Sequence, residues 1–350
     1  MNIVFLLPRF VISPSGGYKM VYEYANYLSS KGHNISLLYL NENALKKYQL
    51  PETFRKTVIN KMTAVGPKWF KLNKSISKVS TCKAGYRKKL KNIDVVVFTA
   101  IETIDYLNLF KDVHKVYFIQ DFENWNHSDE EVYKTYSLVR TKIVVAKWLK
   151  DIVDKYSNSP SFVVSNCIDT TVFFDRGLKR EKHSIVFHYK SADYKGPKYA
   201  IRVIQELYKK YADLKVYIIS TEKKPGGLPE CCSFHHNINS EEVAKINSKT
   251  QVFICTSVEE GFGLPGLEAM ACGCAVVSTT YKGSLEYAIN GVNALLSPIR
   301  DIDTMVENVQ KLFENDELRY MISRNGIKTG QERSIEKSAQ KFENILKKRQ

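Results

Sequence analysis

The stretch EEGFGLPGLEAMACGCAVV (residues 259–277) joins a predicted strand to a predicted buried helix. The strand QVFICTS (251–257) ends directly before it, and Gly261 and Gly263 let the backbone turn sharply and approach a ligand closely. Pro265 is typical of the first position of a helix, where its missing N–H costs no hydrogen bond. The stretch therefore predicts a strand–loop–helix unit with a tight turn at the end of the strand.

Two carboxylates, Glu260 and Glu268, flank this turn. The backbone N–H groups of residues 263–267 are expected to be exposed at the helix start, where the helix dipole helps them to attract an anion. Glu268 is expected in the first turn of the helix, where a carboxylate is favoured. The pattern predicts that the two glutamates lie on either side of one phosphate-sized concavity.

Apolar runs of strand length alternate with helix-period segments along the whole chain. Continuous β-branched runs indicate strands that are buried on both faces, as in a parallel sheet. The runs are residues 3–7, 35–40, 95–98, 116–119, 143–146, 162–165, 184–189, 215–220, 251–257 and 275–279. They predict an α/β protein with two Rossmann-like βαβ domains that face each other across a cleft, with ligands at the carboxyl ends of the strands.

The domain boundaries follow from a pause in this alternation. A polar stretch at residues 166–183 predicts a linker between an N-terminal domain (1–165) and a C-terminal domain (184–330). The last segment, 331–350, is predicted to be a helix that packs back on the N-terminal domain. A length of 350 residues suits two compact domains of roughly 150–180 residues each.

The string from Glu260 to Val277 resembles the E-x7-E signature of retaining glycosyltransferases of family 4, which have the GT-B fold. The resemblance implies that Glu268 binds the ribose hydroxyls of a nucleotide and that Glu260 faces the donor sugar near the reacting carbon. It further implies that the backbone of Gly263 and Leu264 contacts the diphosphate.

Two shorter segments agree with this resemblance. Pro14-Ser-Gly16-Gly17-Tyr18 follows the first strand, as the amino-terminal glycine loop of the family does. Gly16 and Gly17 would then approach the donor phosphates or the sugar, although such a pair is as often an ordinary turn. Asn166-Cys-Ile-Asp169 resembles a linker segment of the family, with Cys167 in place of a glycine, and a structural role is expected for it.

Two lysines follow the first strand of the second domain. The family usually has Gly-Arg at this point and Lys-Gly five residues later; here Tyr189-Lys190 replaces the first pair and Lys195-Gly196 matches the second. A departing diphosphate needs cations, so both lysines are candidate catalytic residues. Lys190 lacks the bidentate fork of an arginine, so its grip on the phosphates is expected to differ. Lysines at strand ends are also commonly solvated.

The segment Tyr117-Phe-Ile-Gln120-Asp121-Phe-Glu123 departs from the family, which often has a histidine near the acceptor and the sugar's C6 hydroxyl. Gln120 and Asp121 stand at that point instead and are candidate residues on the acceptor or sugar side. The string is similar to one in bacterial polysaccharide rhamnosyltransferases of this family. It implies a 6-deoxy sugar donor such as dTDP-rhamnose, with a UDP-sugar as the other candidate.

No cofactor and no essential divalent metal are expected. Asp301-Ile-Asp303 is a DxD string, but it precedes a helical segment, and aspartate is favoured at helix N-caps. The expected reaction is transfer of a sugar from a nucleotide diphosphate donor to a hydroxyl of a glycan or lipid-linked glycan, with retention, in bacterial surface polysaccharide synthesis. The alternatives are a nucleotide-sugar epimerase or a phosphorylase on the same fold, or a non-catalytic basic protein that binds membranes.

Most of the net charge of +15 lies in residues 53–93, which contain twelve lysines and arginines and no acidic residue. Apolar residues such as Trp69 and Phe70 are interleaved with them. This mixture suits an anionic membrane surface, and a solvated helix face is the equally weighted alternative. No nucleic-acid-binding motif accompanies the charge, so nucleic acid is not an expected partner. No run approaches the ~20 apolar residues of a membrane helix, and no signal peptide is indicated. A cytoplasmic protein, peripheral at the inner face of the cell membrane, is therefore predicted.

Overall fold

The computed structural model of the protein describes residues 1–90 and 92–348, and for Lys47 only the backbone. Lys91 of the basic segment and residues 349 and 350 of the predicted C-terminal helix lie outside the described residues. The chain forms two compact units. The first comprises Met1–Ser165 and the residues from Glu336 onward, and the second comprises Asn166–Ile335.

Each unit contains one parallel sheet. In chain order the strands are β1 (Asn2–Leu7), β2 (Asn34–Tyr39), β3 (Ser77–Ser80), β4 (Val95–Phe98), β5 (His114–Ile119), β6 (Thr141–Val144), β7 (Ser161–Val163), β8 (Glu181–His188), β9 (Lys215–Ser220), β10 (Cys232–His236), β11 (Thr250–Cys255), β12 (Ala275–Thr279) and β13 (Ala294–Ser297). The order is β3-β2-β1-β4-β5-β6-β7 in the first sheet and β10-β9-β8-β11-β12-β13 in the second.

Helices connect the strands and cover the sheets. They are α1 (Gly16–Ser30), α2 (Glu52–Val65), α3 (Ile101–Ile104), α4 (Asp129–Tyr136), α5 (Lys147–Lys155), α6 (Pro197–Lys210), α7 (Ser240–Lys249), α8 (Leu264–Ala271), α9 (Ile302–Glu314), α10 (Asp316–Glu332) and α11 (Ile335–Lys347). The predicted α/β class with two Rossmann-like βαβ units is confirmed.

The strand order places a switch point in each sheet. In the first unit, β1 pairs with β2 on one side and with β4 on the other, and all three run in parallel. In the second unit, β8 lies between β9 and β11 in the same way. Loops that leave the carboxyl ends of the strands diverge at such points, and ligands bind there in open α/β sheets.

The C-terminal helix α11 is part of the core of the first unit. The ring of Phe342 stacks on Tyr24 with a centroid distance of 4.6 Å and meets Phe118 edge-on at 5.3 Å. Glu343 of the same helix accepts a 2.9 Å hydrogen bond from the ring of His33, which lies between α1 and β2. The last helix therefore stabilises the sheet that the start of the chain builds.

The segment predicted as a linker, residues 166–183, is instead part of the second unit. Cys167, Ile168 and Phe173 are each buried to 2% exposure or less, and β8 already begins at Glu181. The amide of Ile168 donates a 3.0 Å hydrogen bond to the carbonyl of Arg333. These apolar residues stand singly among polar ones, so the sequence pattern does not reveal that they are core residues.

Candidate active site

An ion pair joins two loops at the switch point of the second sheet. The ammonium of Lys195, between β8 and α6, lies 3.0 Å from Oε2 of Glu260, between β11 and α8. The hydroxyl of Ser257 donates a 2.5 Å hydrogen bond to Oε1 of the same carboxylate. Burial on its own lowers the pKa of Lys195, but the charge and hydrogen bond of Glu260 outweigh it and the pKa is raised above its usual value. Lys195 is therefore a cation at neutral pH.

Backbone contacts fasten these two loops to each other. Gly196 has a φ of +65°, and a Cβ atom there would lie 2.0 Å from the carbonyl oxygen of Thr256. The hydroxyl of Thr256 donates to the Gly196 carbonyl at 2.9 Å, and the amide of Val258 donates to the Tyr194 carbonyl at 2.8 Å. Only glycine fits this position, and the close approach that it permits places Lys195 beside Glu260.

Helix α8 begins directly after this ion pair. It starts at Leu264, one residue before the predicted start, with Gly263 as the N-cap at a φ of 89°. Its first turn contains no acidic residue, so the expectation that Glu268 lies in the first turn is wrong. Glu268 lies in the second turn and is 7% exposed. Pro265 therefore occupies the second helical position, where its missing N–H also leaves no intrahelical hydrogen bond unmade.

Lys190 has partners of its own at the end of β9. Its ammonium donates to the hydroxyl of Thr221 and lies 3.7 Å from a carboxylate oxygen of Glu222. The other oxygen of Glu222 accepts a 2.8 Å hydrogen bond from the amide of Ser191. The structure thus gives the two candidate lysines different carboxylates, and Lys190 is held with the β9 loop rather than by Glu260.

The candidate residues of the first unit meet at the carboxyl ends of β1, β4 and β5. Gly16 and Gly17 form the start of α1, whose first turn has no side-chain cap and no acidic residue. A Cβ atom on Gly17 would lie 3.3 Å from Nε2 of Gln120. That nitrogen donates a 3.4 Å hydrogen bond to the carbonyl of Thr99, while Oε1 of Gln120 is buried and has no hydrogen-bond partner among the described residues.

Glu123 holds the turn that carries Gln120 and Asp121. One of its carboxyl oxygens accepts a 2.5 Å hydrogen bond from the amide of Ile101, at the start of α3. Glu123 is 6% exposed, and burial raises its pKa to about 8, with the charges of Glu102 and Asp121 acting in the same direction. Asp121 in turn accepts a 2.9 Å hydrogen bond from the amide of Phe122. The sequence pattern includes Glu123 but does not assign this role to it.

Three further residues of the second unit support the site without being predicted from the sequence. They are Ser257, which contacts Glu260, and Tyr281 and Tyr287, which lie between β12 and β13. The hydroxyl of Tyr287 donates a 2.8 Å hydrogen bond to the carbonyl of Gly263. The two tyrosines follow the motif by more than a dozen residues, so no local spacing signals their contact with it.

The DxD string has a structural role. Asp301 is the N-cap of α9 and accepts a 3.0 Å hydrogen bond from the amide of Thr304, which confirms the predicted helix start. Within residues 1–90 and 92–348, no cluster of three or more His, Cys, Asp or Glu side chains is arranged to hold a metal ion. The expectation of metal-independent chemistry stays a prediction.

A protein-family model, described as glycosyl transferases group 1, matches residues 169–329. The match covers the loop from Lys190 to Gly196, the motif from Glu260 to Glu268, and both tyrosines. Residues 169–329, just under half of the chain, are thus similar to glycosyl transferases of group 1. The matched stretch includes the Lys195–Glu260 pair.

Curated relatives match the chain over part of its length. An uncharacterized glycosyltransferase of Methanocaldococcus jannaschii is 26% identical over 203 residues, which is 56% of each chain. The N,N'-diacetylbacillosaminyl-diphospho-undecaprenol alpha-1,3-N-acetylgalactosaminyltransferase of Campylobacter jejuni is 24% identical over 230 residues, covering 62% of this chain and 55% of its own. The chain thus spans little more than half the length of these relatives.

Solved structures match both units of the chain. Sucrose-phosphate synthase from Thermosynechococcus elongatus has a TM-score of 0.79 at 12% identity, with 99% of this chain and 98% of that chain covered. HepE of Anabaena, in complex with UDP and glucose, has a TM-score of 0.74 at 13% identity, with 99% of both chains covered. At these identities the likeness establishes the fold, which is GT-B.

Proposed function

We propose that the protein is a glycosyltransferase that transfers a sugar from a nucleotide diphosphate donor to a hydroxyl of a glycan or lipid-linked glycan, with retention of anomeric configuration. The observation that carries this proposal is the Lys195–Glu260 pair beside the N-terminus of α8. The relatives support it: the Campylobacter jejuni enzyme is named for transfer to a diphospho-undecaprenol-linked sugar, and a capsular polysaccharide biosynthesis glycosyltransferase of Staphylococcus aureus is 29% identical over 96 residues.

The second unit would bind the donor. The amides of Gly263 and Leu264 lie at a helix N-terminus, which attracts phosphate oxygens. Lys195 adds a full positive charge, and Glu268 is proposed to bind the ribose hydroxyls. When the bond between the sugar and the diphosphate breaks, negative charge develops on the diphosphate, and cations and amides aimed at it lower the barrier. These groups would stabilise the charge of the departing diphosphate without a metal ion, a role that a divalent ion has in metal-dependent enzymes.

Glu260 would stabilise positive charge on the sugar. One of its oxygens accepts from Ser257 and the other lies on Lys195, so both are engaged before a donor arrives. This arrangement favours a fixed, orienting carboxylate over a nucleophile that attacks the anomeric carbon. An oxocarbenium-like transition state is stabilised by such a preorganised negative group.

The first unit would bind the acceptor or recognise the donor sugar. Gln120 has a buried carbonyl oxygen that can accept a hydrogen bond, and its amide packs against Gly17. An amide cannot exchange a proton as a histidine does, so Gln120 would position rather than act as an acid or base. We propose a 6-deoxy donor such as dTDP-rhamnose, on the string from Gln120 to Glu123, with UDP-glucose as the competing candidate because HepE is solved with it.

A panel of nucleotide sugars tests this proposal. Each donor is incubated with the protein and a hydroxyl acceptor, and the product is analysed by NMR for linkage and anomeric configuration. We expect one donor to yield a glycoside with the anomeric configuration of the donor. We also expect the turnover of dTDP-rhamnose to exceed that of UDP-glucose. An inverted product would contradict retention, and turnover of UDP-glucose alone would contradict the rhamnosyl assignment. Conversion of a donor without an acceptor to another nucleotide sugar would indicate an epimerase.

We propose, as a second and separate function, that the first unit docks on an anionic membrane surface through residues 53–93. Phe54 and Val65 on α2 are 55% and 64% exposed. They flank Lys61 on one helical stripe, since these positions are seven and four residues apart. Glu52, the first residue of α2, is acidic and lies directly before residues 53–93. Its carboxylate pairs with Lys56 at 2.7 Å. No helix among the described residues is long and apolar enough to cross a bilayer.

Cosedimentation with vesicles tests the membrane proposal. We expect binding to phosphatidylglycerol vesicles and not to phosphatidylcholine vesicles. Phe54→Ser together with Lys61→Glu is expected to reduce binding, whereas Lys209→Glu, a charge reversal on α6 of the second unit, is expected to leave it unchanged. Binding that is insensitive to anionic lipid, or equal loss in both variants, would contradict the proposal.

A further inference from the structure

Two glycines of the phosphate-binding turn fit against tyrosine hydroxyls. A Cβ atom on Gly263 would lie 1.9 Å from the hydroxyl oxygen of Tyr281, and one on Gly266 would lie 2.4 Å from that of Tyr287. Both distances are far shorter than any contact between non-bonded atoms. The backbone of the turn is thus packed directly on the two hydroxyl groups.

The hydroxyls also hydrogen-bond. Tyr287 donates to the carbonyl of Gly263 at 2.8 Å, and its oxygen lies 3.4 Å from that of Tyr281. The two tyrosines are 4% and 1% exposed, respectively. Burial raises the pKa of both phenols above the usual value, so they remain protonated and able to donate at neutral pH.

The Gly263 carbonyl accepts two hydrogen bonds, one from the Tyr287 hydroxyl and one of 3.2 Å from the amide of Gly266, and together they fix the direction of one peptide plane. In a trans peptide the C=O and the following N–H point in opposite directions. When the Gly263 carbonyl points to Tyr287, the N–H of Leu264 therefore points away from Tyr287. Gly263 has a left-handed backbone with a φ of 89° and a ψ of 55°, a conformation that glycine leaves readily when nothing holds it.

We infer that Tyr287 is a positioning residue that aims the Leu264 amide at the diphosphate of the donor, with Tyr281 holding Tyr287 in place. This inference rests on the proposed function, because it assigns a role within the same donor site. Tyr287 touches no substrate atom; it acts through the carbonyl of Gly263. Loss of its hydroxyl removes one of the two hydrogen bonds that restrain this peptide plane, and leaves the ribose and base contacts as they are.

Calorimetric titration of Tyr287→Phe with nucleoside diphosphates and with the matching nucleosides tests this inference. We expect the Kd of UDP or dTDP to rise by about five- to tenfold, the effect of one net hydrogen bond. The Kd of uridine or thymidine is expected to stay unchanged, because a nucleoside has no phosphate. Equal weakening of nucleoside and diphosphate, or no weakening of either, would overturn the inference.

A second pair of variants separates the hydrogen bond of the Tyr287 hydroxyl from the steric contact that the same hydroxyl makes with residue 266. Gly266→Ala places its Cβ 2.4 Å from the Tyr287 hydroxyl oxygen but 3.4 Å from the next ring atom, so adding Tyr287→Phe relieves the clash. We expect Gly266→Ala alone to lower the Tm and weaken diphosphate binding. The double variant should regain Tm but keep the diphosphate Kd of Tyr287→Phe. Full recovery of diphosphate affinity in the double variant would overturn the inference.

These outcomes also distinguish the inference from the proposed function. If the wild-type protein bound none of the nucleoside diphosphates at millimolar concentration, the proposed function would fail and the inference with it. If the wild-type protein bound one of them tightly and Tyr287→Phe bound it equally well, the inference alone would fail.

Discussion

The ammonium of Lys195 lies 3.0 Å from the carboxylate of Glu260, and the two residues belong to loops that leave neighbouring parallel strands. Before a donor binds, the two charges satisfy each other. A bound diphosphate would be a second anionic partner of Lys195. The ammonium of Lys195 would then interact with both the diphosphate and Glu260. Under the proposed function, the pair would therefore couple the group that stabilises the leaving diphosphate to the group that faces the sugar.

Lys195→Ala is expected to lower kcat by about 100- to 1,000-fold, the loss found when one preorganised electrostatic group is removed from an active site. The measurement is the rate of nucleoside diphosphate release with the preferred donor. Lys198→Ala removes a positive charge three residues away, from an exposed position at the start of α6, and is expected to retain nearly full activity. Equal losses in the two variants would indicate a general effect of charge and would contradict a specific role for Lys195.

Lys190→Ala is expected to reduce activity less than Lys195→Ala does. Lys190 is held by Thr221 and Glu222 at the end of β9, away from the Glu260 carboxylate. Its contribution is therefore expected to appear mainly in the KM for the donor, as a change of a few fold. Steady-state kinetics with varied donor concentration measure this split. A kcat for Lys190→Ala as low as that of Lys195→Ala would contradict it.

Gly196→Ala is expected to destabilise the second unit and abolish activity. A Cβ at this position would meet the Thr256 carbonyl oxygen at 2.0 Å, and the φ of +65° is strained for alanine by roughly 1–2 kcal/mol before that clash is counted. Thermal unfolding measures the effect as a lower Tm. Gly226→Ala is the matched control, because a Cβ there has no atom within 4 Å. A Gly196→Ala protein with wild-type Tm would disprove the close packing of the two loops.

Glu123→Gln is expected to make stability depend less on pH. Glu123 stays neutral in the folded protein up to a pKa of about 8, against a usual value of 4.5. Between these values the unfolded chain releases the proton and the folded protein keeps it, so the stability contributed by Glu123 is complete below about pH 4.5 and is lost as the pH rises towards 8. The slope is at most about 1.4 kcal/mol per pH unit.

The measurement is the Tm of wild type and variant from pH 5 to pH 9. Burial is the main cause of the raised pKa; Glu102 and Asp121 add to it, and the phenols of Tyr117 and Tyr136 face the same carboxyl. Glutamine does not titrate, so its Tm should fall less steeply. Glu130→Gln, at an exposed position on α4, should keep the wild-type slope. Parallel curves for wild type and Glu123→Gln would contradict the buried neutral carboxyl.

The sequence suffices to predict elements whose apolar runs are continuous. Val95–Phe98 and Lys215–Ser220 form strands with the predicted bounds, because buried parallel strands carry no polar residue at alternate positions to obscure them. Strand β3 (Ser77–Ser80) and strand β10 (Cys232–His236) are edge strands with few apolar residues, and the pattern does not reveal them. Helix α2 corresponds only to the solvated-helix alternative for residues 53–93, because its mostly exposed residues lack a wide apolar stripe that would indicate its bounds.

The candidate site is predictable where it lies within one loop. The motif from Glu260 to Glu268 and the pair Lys195-Gly196 are continuous in sequence, so residue type and spacing are enough to select them. Contacts between loops are not predictable in this way. Local spacing does not indicate the hydrogen bond from Tyr287 to Gly263 or the one from Ile101 to Glu123. Each of these bonds depends on how the strands are ordered in the sheet.

The most direct test of the central claim is nucleoside diphosphate release from the preferred nucleotide sugar by the wild-type protein and by Glu260→Gln. Glutamine keeps the size of the side chain but removes the charge that pairs with Lys195. We predict acceptor-dependent release by the wild-type protein and at least about 100-fold slower release by the variant, with the Tm of the two proteins alike. Release by Glu260→Gln at the wild-type rate would contradict the assignment of this site to glycosyl transfer.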